Sequence, residues 1–132
     1  MSITGLSHVN LRADRQLLEE LKRFYTDVVG LVPGARPPFA QFGYWLYAGT
    51  HDVLHLSEAS AGDVRARAIV STIDHVAFAC TDIAAATARL EEHQVPYQCD
   101  AVPRTGERQL FFRDPAGNRV ELNGPGPGAH TI

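Results

Sequence analysis

The chain repeats itself. Gly5-Leu6-Ser7-His8-Val9-Asn10-Leu11 and Thr72-Ile73-Asp74-His75-Val76-Ala77-Phe78 each set a histidine among β-forming residues. Each is followed by a polar cap residue (Asp14; Thr81 or Asp82) and then by a helix-like segment. Self-similarity of this kind means that one supersecondary unit is built twice. The first helix, about residues 15–28, lines up Leu17, Leu18, Leu21, Phe24, Tyr25 and Val28 at spacings of three and four, with Gly30 as its stop. The second, about residues 83–93, has a weaker stripe of Ile83, Ala86, Thr87 and Leu90. Beyond each helix lies a hairpin pattern with loop glycines. Residues 43–47 turn through Ala48-Gly49-Thr50-His51 into 52–56, and residues 108–112 turn through Asp114-Pro115-Ala116-Gly117-Asn118 into 119–122. A further strand is expected near Leu31-Val32 and near residues 98–102. The order is βαβββ, twice, and the fold class is α+β.

His8 and His75 are 67 residues apart, and His55 and Glu121 are 66 apart, so the two halves keep nearly one register. The expected organisation is a single domain of 132 residues: a module at about 5–58, a linker at about 59–71 with a helical turn, and a second module at about 72–123. The Gly- and Pro-rich tail at 124–132, which includes His130, is expected to hold no regular structure.

Composition excludes several function classes. With 12 basic and 15 acidic residues the net charge is −3, and no basic stripe is present, which argues against nucleic acid as a partner. Cys80 and Cys99 are too few for a disulfide scaffold. The N-terminal residues lack a basic stretch followed by an apolar core, and no apolar run approaches 18 residues, so neither a signal peptide nor a membrane span is expected. The expectation is a cytoplasmic protein.

Period-two alternation then assigns faces within the strands. His8, Asn10 and Arg12 oppose Val9 and Leu11; His55 and Ser57 oppose Leu54 and Leu56. His75 and Ala77 oppose Val76 and Phe78, and Glu121 and Asn123 oppose Val120 and Leu122. Four strands thus carry an apolar face suited to a helix, and on the other face a His or Glu midway along. A lone strand histidine is usually a satisfied core or surface residue. Recurrence at equivalent repeat positions favours a metal site built from His8, His55, His75 and Glu121. If the repeats pack about a pseudo-twofold, His8 pairs with His75 and His55 with Glu121. Such nitrogen and carboxylate donors suit zinc, nickel, iron(II) or manganese, and four protein ligands leave positions for water or substrate. His51, at a turn, and His93, at a helix end, read as solvated. Phe39, Phe42, Tyr44, Trp45 and Tyr47 either line a mouth or pack a core.

Two stretches carry a family resemblance. Phe24-Tyr25-x-x-Val28-x-Gly30-Leu31 closes the first helix, and Asp114-Pro115-x-Gly117-Asn118-x-x-Glu121-Leu122 lies near the end. With the doubled βαβββ pattern, they resemble the vicinal oxygen chelate superfamily over about residues 5–123. That group includes glyoxalase I, extradiol dioxygenases, fosfomycin-resistance transferases and bleomycin-binding proteins. The resemblance implies an open β-cup with helices on its outer face, one divalent metal between two modules, and a homodimer whose cups form within one chain or across two.

Residue by residue, His8, His55, His75 and Glu121 fall on the glyoxalase I metal positions. Arg12 falls on an arginine that there contacts glutathione. Glyoxalase I usually has glutamate where His55 stands, and Ala59 occupies a position where an asparagine would help hold glutathione. The dioxygenase comparison takes His8, His75 and Glu121 as an iron(II) set, but Phe111 stands where those enzymes have a tyrosine. The fosfomycin comparison meets Asn10 where threonine is expected. The implied function is a metal-dependent isomerase or lyase of glyoxalase I type acting on a small molecule with vicinal oxygens. Glu121 is its base, His55 a ligand or acid/base, and Arg12 and Asn10 bind substrate. An iron(II) dioxygenase and a non-catalytic binding protein are the alternatives.

Overall fold

A computed structural model describes residues 2–126. The tail positions 127–132, His130 among them, lie outside the described residues. The chain divides into two compact units between Ala66 and Arg67.

In the first unit, β1 (Val9–Ala13) leads into α1 (Arg15–Phe24). Asp14 caps the helix, its side chain accepting from the Leu17 amide at 2.9 Å. This satisfies one of the amide donors that a helix start leaves without a partner. The helix does not run on regularly to Val28. It widens into a π-helical turn, Tyr25–Val29, which closes on Gly30 at φ +96°, with the Gly30 and Leu31 amides both donating to the Tyr25 carbonyl. The wider turn buries Val28 and Val29 together, and only glycine takes the left-handed stop without strain.

Three strands follow, β2 (Val32–Gly34), β3 (Gly43–Ala48) and β4 (His51–Glu58). They form a sheet in the order β1-β4-β3-β2, with β1 and β4 parallel and the other pairs antiparallel. Leu17, Leu18, Leu21 and Tyr25 of the helix and Leu46, Leu54 and Leu56 of the sheet are buried, and α1 lies against β4 and β1. Each such leucine contributes about 1.5–3 kcal/mol by leaving water.

The second unit repeats the plan with β5 (Val76–Ala79), α2 (Ile83–Glu92), β6 (Tyr97–Ala101), β7 (Arg108–Arg113) and β8 (Arg119–Gly124). Its sheet order is β5-β8-β7-β6, again with the first pair parallel. Asp82, the second of the two cap candidates, accepts from the Ala85 amide at 3.0 Å. Ile83, Ala86 and Leu90 bury against a sheet that buries Leu110, Phe112, Val120 and Leu122.

The two-module α+β architecture is therefore as the repeat predicts. Two details differ. His8 and His75 each stand one residue before their strand rather than midway along it. Residues 59–75 form turns and bends, without the expected helical turn.

Candidate functional site

The strand registers deliver the candidate residues. In the first sheet β4 is flanked by β1 and β3, so His55 stands opposite Asn10 on one side and Trp45 on the other. In the second, Glu121 on β8 stands opposite Ala77 and Phe111, the matching positions of the repeat. The β7–β8 turn that sets this register is built by Asp114. One of its oxygens accepts from the Ala116 and Asn118 amides and the other from the Asn118 side chain, each at 2.9 Å. The Asp-Pro-x-Gly-Asn segment is thus a folding device that aims Glu121.

In the first unit, His55 is 8% exposed and sandwiched between two rings. His8 stacks on it at a centroid distance of 3.7 Å and 17°, and Trp45 at 4.1 Å and 7°. Its Nε2 is 2.7 Å from Asp52 Oδ2. That hydrogen bond holds the Asp52 carboxyl below its ordinary pKa. His8 is more open, with Nδ1 3.0 Å from the Ser7 hydroxyl. Asn10 Oδ1 accepts from the Ser57 hydroxyl at 2.8 Å, and Ser57 accepts from Arg12 Nε at 3.1 Å. A cavity of about 670 Å³ opens over this face, lined by His8, Asn10 and His55 and also by Arg36, Phe39 and Trp45. Arg12 is outside its lining and is spent on Ser57.

In the second unit, Glu121 is 5% exposed. Its Oε1 is 3.1 Å from His75 Nε2, and its Oε2 accepts from Asn123 Nδ2 at 2.9 Å. The other His75 nitrogen, Nδ1, is 2.7 Å from Asp74 Oδ2, which also accepts from Arg119 Nη1 at 2.6 Å. Those two contacts, His75 first, hold the Asp74 carboxyl low. The Phe111 ring meets His75 edge to face at 5.6 Å, and the Arg119 guanidinium lies 4.1 Å above the same Phe111 ring.

The donor pairs differ in their fitness for a metal. Bonds from such a metal to imidazole and carboxylate run about 2.0–2.2 Å, so two adjacent donors stand about 3 to 3.5 Å apart, from octahedral to tetrahedral geometry. His75 Nε2 and Glu121 Oε1 meet that spacing, and Asp74 supplies the outer hydrogen bond that orients a ligating histidine. His8 and His55 lie face to face, so their lone pairs lie in two nearly parallel planes about one ring thickness apart. Within neither unit do three or more His, Cys, Asp or Glu of the described residues group to hold a metal ion.

Sequence reasoning missed Asp52, Asp74, Asn123 and Arg36. Asp74 precedes His75 directly and Asn123 shares the face of Glu121, so both were open to a reading of neighbours and parity. Asp52 lies on the opposite parity to His55, and Arg36 lies in an irregular loop between β2 and β3; neither had a signal.

The profile of the glyoxalase/bleomycin resistance protein/dioxygenase superfamily matches residues 5–122. The chain belongs to that superfamily. Solved members share its fold. A glyoxylase/bleomycin resistance protein/dioxygenase domain from Frankia sp. EAN1pec is 20% identical, with a TM-score of 0.74, covering 98% of this chain and 97% of its own. The lactoylglutathione lyase of Agrobacterium tumefaciens is 25% identical, with a TM-score of 0.64 and coverage of 94% and 96%. TnmS3, an antibiotic binding protein from Streptomyces sp. CB03234, is 24% identical, with a TM-score of 0.67 and coverage of 95% and 98%. No curated protein matches the chain. The superfamily thus holds both enzymes and binders, and the choice between them rests on this chain's own side chains. Among the described residues no helix is long and apolar enough to cross a membrane.

Proposed function

We propose that the protein is a divalent-metal-dependent enzyme of glyoxalase type, isomerising a small substrate with two neighbouring oxygens. The observation that carries this is the burial of Glu121 in contact with His75. A carboxylate only 5% exposed is costly to hold charged unless a cation balances it, and here its hydrogen-bond partners are an imidazole and a neutral amide. Zinc, nickel, iron(II) or manganese fits that donor pair. His75 and Glu121 would hold it. Such an ion, when bound, supplies Lewis acidity toward neighbouring oxygens.

Glu121 is the base. It takes the proton from the carbon next to the carbonyl, the C–H electron pair passes into an enediolate, and the proton returns to the adjacent carbon, so no oxidant or reductant is consumed. Asn123 donates to Oε2 and so fixes the orientation of the carboxylate. Asp74 holds Nδ1 of His75 and directs Nε2 at the same centre. His55, backed by Asp52, serves as ligand or as a second acid/base. Asn10, which lines the cavity, is a substrate contact, and Arg12, which the resemblance makes one, acts through its hold on Ser57. A homodimer in the cytoplasm completes the reading, and sedimentation of the purified protein tests the dimer.

Elemental analysis of purified protein should find about one divalent metal per chain, lost in His75→Ala, because removing a ligand or its orienting partner weakens binding by about tenfold or more. Glu121→Gln should lower turnover of a hemithioacetal by about 10²-fold or more. Metal far below stoichiometry and unchanged by His75→Ala would leave a binding protein as the better reading. Oxygen uptake with catechols under iron(II), without hemithioacetal turnover, would favour a dioxygenase.

A further inference from the structure

The cavity of the first unit holds a cation that neither the repeat nor the donor pairs use. Arg36 lines it, in the loop between β2 and β3. Its Nη2 donates to the Gln41 carbonyl at 2.9 Å, while its Nε is buried with no hydrogen-bond partner among the described residues. The guanidinium lies close against Gly43, where an added Cβ would stand 3.0 Å from Nη2 and 3.2 Å from Cζ. It is also 5.0 Å from the centre of the Phe39 ring. Phe39 is 55% exposed and reaches toward Trp45, with ring centres 6.3 Å apart. Trp45 in turn backs onto the His55 and His8 stack. One wall of the cavity is therefore a row of flat groups ending in a positioned guanidinium. The carboxylate on the same wall, Asp52, is already engaged by His55. The volume lies inside the roughly 300–1,000 Å³ range of small-molecule sites.

We infer that this cavity takes a planar aromatic carboxylate, its ring laid on Phe39 and Trp45 and its carboxylate bound by Arg36. Guanidinium pairs with carboxylates through N–H···O bonds, and Arg36 lines the cavity with its Nη2 held in place by the Gln41 carbonyl. An apolar ring covering Phe39 removes the exposed aromatic surface from water. The cavity shares His8, Asn10 and His55 with the site of the proposed function, but the ligand comparison reads only Arg36 and Trp45 and so tests the inference apart from the His75 and Glu121 reading.

The test is calorimetric titration of the intact protein with 2-naphthoate, with 2-naphthamide as the neutral isostere and with acetate as the ringless acid. In parallel, the indole N–H signal of Trp45, the sole tryptophan, is followed by ¹H–¹⁵N NMR. Naphthoate should bind and move the Trp45 signal, with the amide and acetate each weaker by about tenfold or more, the worth of one charge-assisted hydrogen bond or one stacked ring. Arg36→Gln should weaken naphthoate to the level of the amide and leave the amide unchanged. The inference is overturned if acid and amide bind wild-type protein equally, or if naphthoate fails to bind. It is also overturned if naphthoate binds without moving the Trp45 signal, or if Arg36→Gln keeps the preference for the acid. The comparison of the three ligands on wild-type protein stands even if the variant does not fold.

Discussion

Tyr44 shows how one position can be read from sequence as an alternative and from structure as a role. The aromatic run from Phe39 to Tyr47 was legible as mouth or core, and the structure splits it. Phe39 and Trp45 line the cavity, while the Tyr44 hydroxyl donates to Glu19 Oε1 on α1 at 2.6 Å. Burial first, and then that hydrogen bond to a carboxylate, raise the phenol above its ordinary value of 10.0. Because the folded state favours the neutral phenol, its stabilisation is whole below that ordinary value and is lost as pH climbs through the raised one. In a tyrosinate absorbance titration, Tyr44→Phe should remove a late-titrating component. The stability gap between variant and wild type, measured by urea unfolding, should narrow as pH rises into that range. Tyr97, raised chiefly by its hydrogen bond to Glu91, should remain as the other late component. At the candidate site, parity placed His55, Asn10 and Glu121 on the inward polar face, but it could not say which nitrogen meets which oxygen. Asp52 met His55 across the parity that hid it.

The doubled register is the most legible part of the elements. Trp45 opposite His55 and Phe111 opposite Glu121 are the same ladder position in two sheets, and the chain intervals of 66 and 67 residues announce it. The cap at Asp14 and the stop at Gly30 were equally plain, because each is a local hydrogen bond or a local φ, while the second cap was legible only as Thr81 or Asp82. Gly43 was not marked by any local pattern. A Cβ there would come within 2.1 Å of the Leu56 carbonyl, the backbone of the neighbouring strand. Gly43→Ala should therefore push β3 off β4 and cost about 1–3 kcal/mol in chemical denaturation. Asp14→Ala, losing only the cap, should cost about 1 kcal/mol. The order of those two losses is the check: a Gly43→Ala variant as stable as wild type would mean the strand approach is not as close as described.

On the scale of the whole chain, two similar units differ in how much they bury. α1 is held by Leu17, Leu18, Leu21 and Tyr25, whereas α2 is held by Ile83, Ala86 and Leu90, with alanine contributing little area. Hydrogen exchange should find the amides of α2 opening more readily than those of α1, by about tenfold or more in protection. Between the units, residues 59–75 carry no helix or strand, and Val64 is exposed. Arg67 and Ala68 are tied to the β7–β8 turn through Pro115 and Ala116, so limited tryptic digestion should cut first after Arg65 and release two fragments corresponding to the units.

The sequence by itself determined the repeated βαβββ order, the Asp14 cap, the hairpin turns and the strand face that His55 and Glu121 share with their neighbours. These follow from period, from local hydrogen bonding and from the φ of glycine, all of which act over a few residues. Only the tertiary structure decided that Asp52 backs His55, that His75 meets Glu121 at 3.1 Å, and that Arg36 borders the cavity. The first depends on side-chain rotamers within one strand, and the second on strands brought together from more than 40 positions apart in the chain. No local pattern encodes that meeting.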